Sequence, residues 1–132
     1  MQKKNDSKKI SVLLIEDDPF LYKVLQQRFQ DEGIEVAVAT DGETALVEAA
    51  RVAPTLILLD LILPKMNGFE ALEKMRSSSV NKRTPVIVLS NLGQEEDIKR
   101  AKSLGADGYL VKANISIQEI VAKIREMLDK RK

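Results

Sequence analysis

Four short aliphatic runs in this chain end on residues that can do chemistry. Residues 10–15 run into Glu16-Asp17-Asp18, Leu56-Ile-Leu-Leu into Asp60, Pro85-Val-Ile-Val-Leu into Ser90, and Gly108-Tyr-Leu-Val into Lys112. Unbroken runs of this length fit buried strands, as in a parallel sheet covered by helices on both faces. A lone charge such as Asp60 is costly in apolar surroundings, so the strand must stop there and deliver its carboxylate to the mouth of the sheet. In a parallel sheet all four ends point the same way, and residues far apart in sequence meet in one crevice. Three carboxylates gathered there repel, and need a cation to stay ionised together at neutral pH. Hard oxygen donors point to Mg²⁺, which prefers octahedral oxygen ligation and keeps waters or phosphate oxygens in its shell. A carboxylate nucleophile, Mg²⁺, an ammonium and a hydroxyl together suit phosphoryl transfer, where the protein holds the acceptor in line and neutralises charge on the phosphoryl oxygens.

The elements that must position these residues follow from local signals. Asp18-Pro19 reads as N-cap and first helical residue; Leu21, Val24, Leu25 and Phe29 form one stripe, and Gly33 ends the helix. Residues 35–39 alternate polar and small apolar types, as an edge strand would. Thr40 to Glu43 has capping-box spacing and predicts a second helix to about Val52, closed by Pro54. Asn67 to Glu70 opens a third helix carrying Leu72 and Met75, and residues 77–84 read as a polar loop. A short charged helix over 94–104 stops at Gly105. Ser116 with Glu119 makes a further capping box before the stripe Ile117, Ile120, Val121, Ile124, Met127 and Leu128. Five strand–helix units in strict alternation call for a doubly wound, five-stranded parallel α/β sheet with right-handed crossovers. Ligands in such folds bind beyond the carboxyl ends of the strands.

Composition narrows the function classes. The chain has 132 residues, enough for one domain with a real core, and its 44% apolar content with few aromatics predicts an aliphatic interior. Residues 1–8 read as a disordered leader and 9–132 as the domain. Cysteine and histidine are both absent, which removes disulfides, thiolate sites, the commonest general base and the usual zinc ligands. No run approaches a membrane span, and no signal peptide opens the chain, so no membrane association and a cytoplasmic location are expected. The net charge of +1 is interspersed rather than segregated. The lysines at both ends read as solvated tails, and no direct nucleic-acid contact is expected.

These stretches resemble the receiver (response regulator) domain of two-component signalling, stand-alone type, over about residues 9–130. The resemblance rests on Val12-Leu-Leu-Ile-Glu16-Asp17-Asp18, Leu58-Leu-Asp60-Leu-Ile-Leu-Pro64-Lys-Met-Asn-Gly68, Pro85 to Ser90, and Gly105-Ala-Asp-Gly-Tyr-Leu-Val-Lys112. It implies a flavodoxin-like (βα)5 fold with strand order 2-1-3-4-5, for which a chemotaxis receiver is a standard example. It implies that Asp60 is phosphorylated by a histidine kinase or phosphotransfer protein. Asp17 and Asp60 would bind Mg²⁺ directly, Glu16 through water, and Ile62 through its carbonyl. Lys112 would pair with the phosphoryl group, and Ser90 would hydrogen-bond it. Tyr109 would turn inward with Ser90 and reshape the face of the fourth helix, fifth strand and fifth helix. A downstream effector would bind that face, around Ile98, Lys99, Lys102 and Tyr109, and a homodimer through it is a further expectation. On this reading the protein is a signalling switch rather than an enzyme.

Two positions depart from the family pattern. Ala113 stands where a proline behind a cis bond is usual; a cis bond before a non-proline residue costs about 2.5–4 kcal/mol, so the bond is trans with a rearranged loop, or the strain is tolerated. Asn91 follows Ser90 where a small residue is common, and would narrow access to Asp60. Apolar Ile62 and Leu92 are expected to border the acyl phosphate; neither can orient a water, which predicts a long-lived phosphoaspartate. A flavin or nucleotide carrier is disfavoured because Glu-Asp-Asp-Pro follows strand one where a phosphate loop would be needed. The remaining rival is an interaction module that binds partners without phosphorylation.

Overall fold

The computed structural model describes residues 9–130; the predicted leader over 1–8 and the last two residues of the predicted domain lie outside that range. The order of elements is β1 (Ser11–Ile15), α1 (Pro19–Asp31), β2 (Glu35–Ala39), α2 (Gly42–Val52), β3 (Leu56–Leu59), α3 (Gly68–Arg76), β4 (Val86–Ser90), α4 (Glu95–Ser103), β5 (Gly108–Val111), a 3₁₀ turn (Lys112–Asn114) and α5 (Ile117–Lys130). The five strands form one parallel sheet in the order β2-β1-β3-β4-β5. This is the α/β, flavodoxin-like arrangement that the strand–helix alternation and the family resemblance predict.

Period-two alternation divides the core. Val12, Leu14, Leu56 and Leu58 face one side and pack with Leu25 and Phe29 of α1 and Ile120, Val121 and Ile124 of α5. Leu13, Ile15, Ile57 and Leu59 face the other side, against Ala45 and Ala49 of α2 and Leu72 and Met75 of α3. Each fully buried Leu, Ile or Phe contributes about 1.5–3 kcal/mol, which is why the central strands tolerate no polar residue until their ends. A third, smaller cluster of Leu61, Phe69, Val88 and Ala101 lies under α4. That helix buries only Ala101. The β5 strand is less enclosed than the apolar run implies: it is a sheet edge, with Tyr109, Leu110 and Val111 half-buried.

Capping sets where the helices begin. Asp18 accepts from the Phe20 N–H (3.0 Å) and Asn67 from the Glu70 N–H (3.0 Å). Ser116 and Glu119 exchange bonds of 2.8 and 3.1 Å, a complete capping box. At α2 the cap is Asp41, not Thr40: its carboxylate takes the Thr44 N–H at 2.7 Å. Asp at that position offers the stronger acceptor and moves the helix start by one residue.

The loop over 77–84 is not merely polar. Asn81 is buried, its amide donating to the Ala49 carbonyl (3.1 Å). Beside it Arg76 donates to the carbonyls of Asn81 (2.9 Å), Thr84 (2.7 Å) and Gly105 (2.7 Å) and to the Asp107 carboxylate (3.0 Å). This buckle joins α3 to the starts of β4 and β5, at the pole of the sheet away from the strand ends.

Candidate functional site

The carboxyl ends of the strands open on a cleft of about 230 Å³ lined by Glu16, Asp17, Asp18, Asp60, Ile62, Asn91 and Lys112. Glu16 follows β1 and Asp60 follows β3, and these strands pair in register, with Ile15 beside Leu59. The sheet therefore brings the two carboxylates side by side. One carboxylate oxygen from each of Glu16, Asp17 and Asp60 lies within 4.8 Å of the others. Two unit charges at that spacing repel by about 3 kcal/mol at an effective dielectric of about 20. Glu16 and Asp60 are buried, whereas Asp17 is exposed.

Lys112 supplies the opposing charge. Its Nζ lies 2.9 Å from Glu16 Oε1 and 2.9 Å from Asp60 Oδ2. Burial pushes the Glu16 carboxyl above the ordinary carboxylate range, and its hydrogen bond to Lys112 pulls it only part of the way back. Burial works to lower Lys112, but its bonds to Glu16 and Asp60 outweigh that, and the ammonium is held above its ordinary value. The described residues contain no cis peptide bond, so the Lys112–Ala113 bond is trans. The chain accommodates it by turning directly into the 3₁₀ segment Lys112–Asn114. This rearranged loop still aims Lys112 at Asp60.

Backbone groups complete the cradle. The Asp18 N–H donates to Glu16 Oε2 (3.1 Å), and the Ile62 N–H donates to Asp60 Oδ1 (3.3 Å). Gly68 packs against the end of β3: a Cβ there would lie 2.4 Å from the Asp60 carbonyl oxygen. The three carboxylates, two on buried backbone turns and one open to solvent, fit a hard divalent cation with exchangeable positions in its shell.

Ser90 and Tyr109 sit beside the cleft rather than in its lining. Ser90 is fully buried, and its Oγ accepts the Leu92 N–H at 3.3 Å. The Tyr109 hydroxyl donates to the Leu92 carbonyl. Burial and the nearby carboxylates Asp97 and Asp60 hold the Tyr109 phenol above its ordinary value. Ile62 lines the cleft as expected. Leu92 does not: it packs with Leu61, Phe69, Val88 and Ala101, while Asn91 stands at the rim, where it is expected to narrow access to Asp60. Ser90 Oγ closes a turn onto the Leu92 N–H, a bond that alternation along β4 gives no sign of.

A family model described as the response regulator receiver domain matches residues 12–125. The chain is 40% identical over 117 residues to the transcriptional regulatory protein CpxR of Escherichia coli, covering 89% of this chain and 48% of that protein. It spans about half the length of the curated relatives it matches. The Francisella response regulator 1452 receiver domain superposes with a TM-score of 0.86 at 30% identity, covering 94% of this chain and all of that one. The receiver domain of a sensor histidine kinase from Pseudomonas aeruginosa PAO1, solved with magnesium coordinated in its active-site cleft, superposes at 0.78 with 26% identity, over 92% of this chain and 96% of that one. With its five-stranded order and its acid cleft, this chain belongs to the response regulator receiver domain family.

Proposed function

We propose that the protein is a phosphorylation-driven signalling switch in which Asp60 accepts a phosphoryl group from a phosphohistidine on a histidine kinase or phosphotransfer protein. The observation that carries this is the Lys112 ammonium, 2.9 Å from both Asp60 and Glu16 inside a cluster of three carboxylates. An Asp60 oxygen attacks phosphorus, the P–N bond breaks with its electron pair left on the imidazole, and a P–O bond forms. Glu16, Asp17, Asp60 and the Ile62 carbonyl would hold Mg²⁺, which when bound supplies positive charge against the transferring oxygens. Lys112 keeps a hydrogen-bonding ammonium beside the acceptor.

The switch follows from the bonds that join Ser90 to Tyr109. A phosphoryl group on Asp60 draws the Ser90 hydroxyl, and Ser90 Oγ is bonded to the Leu92 N–H whose carbonyl holds Tyr109. Movement at Ser90 therefore reaches Tyr109 through one residue, and with it the face made by α4, β5 and α5. A protein effector, or a second copy of the chain, reads that face. No helix among the described residues is long and apolar enough to cross a membrane. The rival reading, an interaction module indifferent to phosphorylation, drew on Ala113 and Asn91; the Lys112 ammonium 2.9 Å from Asp60, in spite of Ala113, favours the phosphoacceptor over it.

The test is intact-mass analysis after incubation with acetyl phosphate and Mg²⁺. Addition of one phosphoryl group to the wild type, absent from Asp60→Ala, is expected. No addition, or addition that survives Asp60→Ala, refutes the reading.

A further inference from the structure

We propose that Asn91 is a phosphoryl-binding residue whose side-chain amide donates to the group that Asp60 accepts; this rests on the function proposed above. The cleft is poor in donors for an incoming dianion. Its lining holds four carboxylates, which only accept when ionised, and the aliphatic Ile62. Only Lys112 and Asn91 carry side-chain N–H groups there, and Lys112 already spends two of its three on Glu16 and Asp60. With the Ser90 hydroxyl, that leaves two side-chain donors for three terminal phosphoryl oxygens with several lone pairs each. The Asn91 amide adds two more. Among the described residues this amide has no hydrogen-bond partner.

The backbone that carries the amide is also held in place. Ser90 anchors the end of β4 beside Val111 and accepts the Leu92 N–H, while Tyr109 holds the Leu92 carbonyl. Asn91 is the corner of that closed turn, so a short side chain rides on a backbone fixed on both sides. A donor at the rim of the cleft is within the lining that a phosphoryl group on Asp60 would meet, and a donor to a charged oxygen is worth roughly twice a neutral one. Its exposure keeps the amide clear of the core.

A donor and a steric plug make opposite predictions. The test uses the full chain at saturating Mg²⁺, with beryllofluoride standing in for the phosphoryl group and binding followed by fluorine NMR. Asn91→Ala is expected to weaken binding about tenfold, the loss of one hydrogen bond to a charged group. Asn91→Asp, the same shape with no N–H and an added charge, is expected to weaken it about a hundredfold. The initial rate of phosphorylation by acetyl phosphate should fall in the same order. Unchanged or tighter binding by Asn91→Ala, or a faster rate, overturns the donor role in favour of a plug. A wild type that binds no beryllofluoride overturns the phosphoacceptor reading together with this one, whereas a wild type that binds it while Asn91→Ala binds equally overturns Asn91 alone.

Discussion

Replacing Gly68 with alanine should weaken both the fold and the site, because the added methyl has nowhere to go. Its Cβ would lie 2.4 Å from the Asp60 carbonyl oxygen and 2.5 Å from the Leu61 Cα. Both are backbone atoms at the end of the central strand, and neither can swing aside as a side-chain tip would. Overpacking typically costs about 1–3 kcal/mol, and this contact belongs near the top of that range. Lower entropy of the unfolded chain returns about 0.4–1 kcal/mol, leaving a net loss of about 2 kcal/mol. With a urea slope of about 2 kcal/mol per molar, the unfolding midpoint falls by about 1 M. Relief requires α3 or the Asp60 peptide to shift, so the rate of phosphorylation should fall under conditions where the variant remains folded. Gly33→Ala is the control: at φ +78 nothing lies within 4 Å of its Cβ. It should lose only about 1–2 kcal/mol from the left-handed backbone and phosphorylate at the wild-type rate. A Gly68→Ala protein as stable as wild type, with unaltered phosphorylation, would refute the close approach between α3 and the end of β3.

Two further outcomes follow. Ile62 lines the cleft and is more than half exposed, yet it cannot orient an attacking water; the phosphoaspartate should therefore decay over many minutes, and Ile62→Asn should hasten decay severalfold, as followed by intact mass after donor removal. Decay of the wild type within seconds contradicts this. Stability should fall in acid: hydrogen bonds from Arg28 and Arg125 hold Glu32 low, the Thr44 backbone holds Asp41 low, and the Ser116 backbone holds Glu119 low. Carboxyls depressed in the folded state contribute stability that is present above their unfolded values and lost as pH falls through the folded ones. Glu16, raised by burial, acts with the opposite sign, its effect being lost as pH rises through its folded value. Urea midpoints measured downward from pH 5 should decline, and Glu119→Gln should flatten that limb; a midpoint constant to pH 3 would be inconsistent with these bonds.

Much of this was legible in the sequence because buried strands leave a simple mark. Runs such as Leu56 to Leu59 can satisfy no charge, so the first polar residue after each of these runs had to sit at a strand end, and parallel topology gathers those ends. Asp18, Asn67 and Ser116 cap where their side chains and spacing predict, since capping is local chemistry. What escaped was set by bonds between residues distant in sequence or by a single rotated peptide. Asn81 lies in a stretch with no apolar pattern, and it is buried because it reaches Ala49, a partner 32 residues away. Arg76 looks like an ordinary helix-end cation until the carbonyl of Gly105 is found beside it. Leu92 departs from the cleft to pack with Leu61, Phe69, Val88 and Ala101, past a turn closed by Ser90 Oγ that alternation cannot reveal. Thr40 and Asp41 both suit a helix start, and only the backbone decides between them.

The most direct test of the acid cleft as a cation-assisted phosphoacceptor is a Mg²⁺ titration at fixed acetyl phosphate, read as the fraction of chain carrying one phosphoryl group. With a chelator present the fraction should be near zero. It should rise and saturate with Mg²⁺, and Asp17→Asn, which removes one of three charges within 4.8 Å of one another, should shift the midpoint to at least tenfold higher Mg²⁺. Equal phosphorylation with and without the divalent ion, or a titration unmoved by Asp17→Asn, would contradict the account.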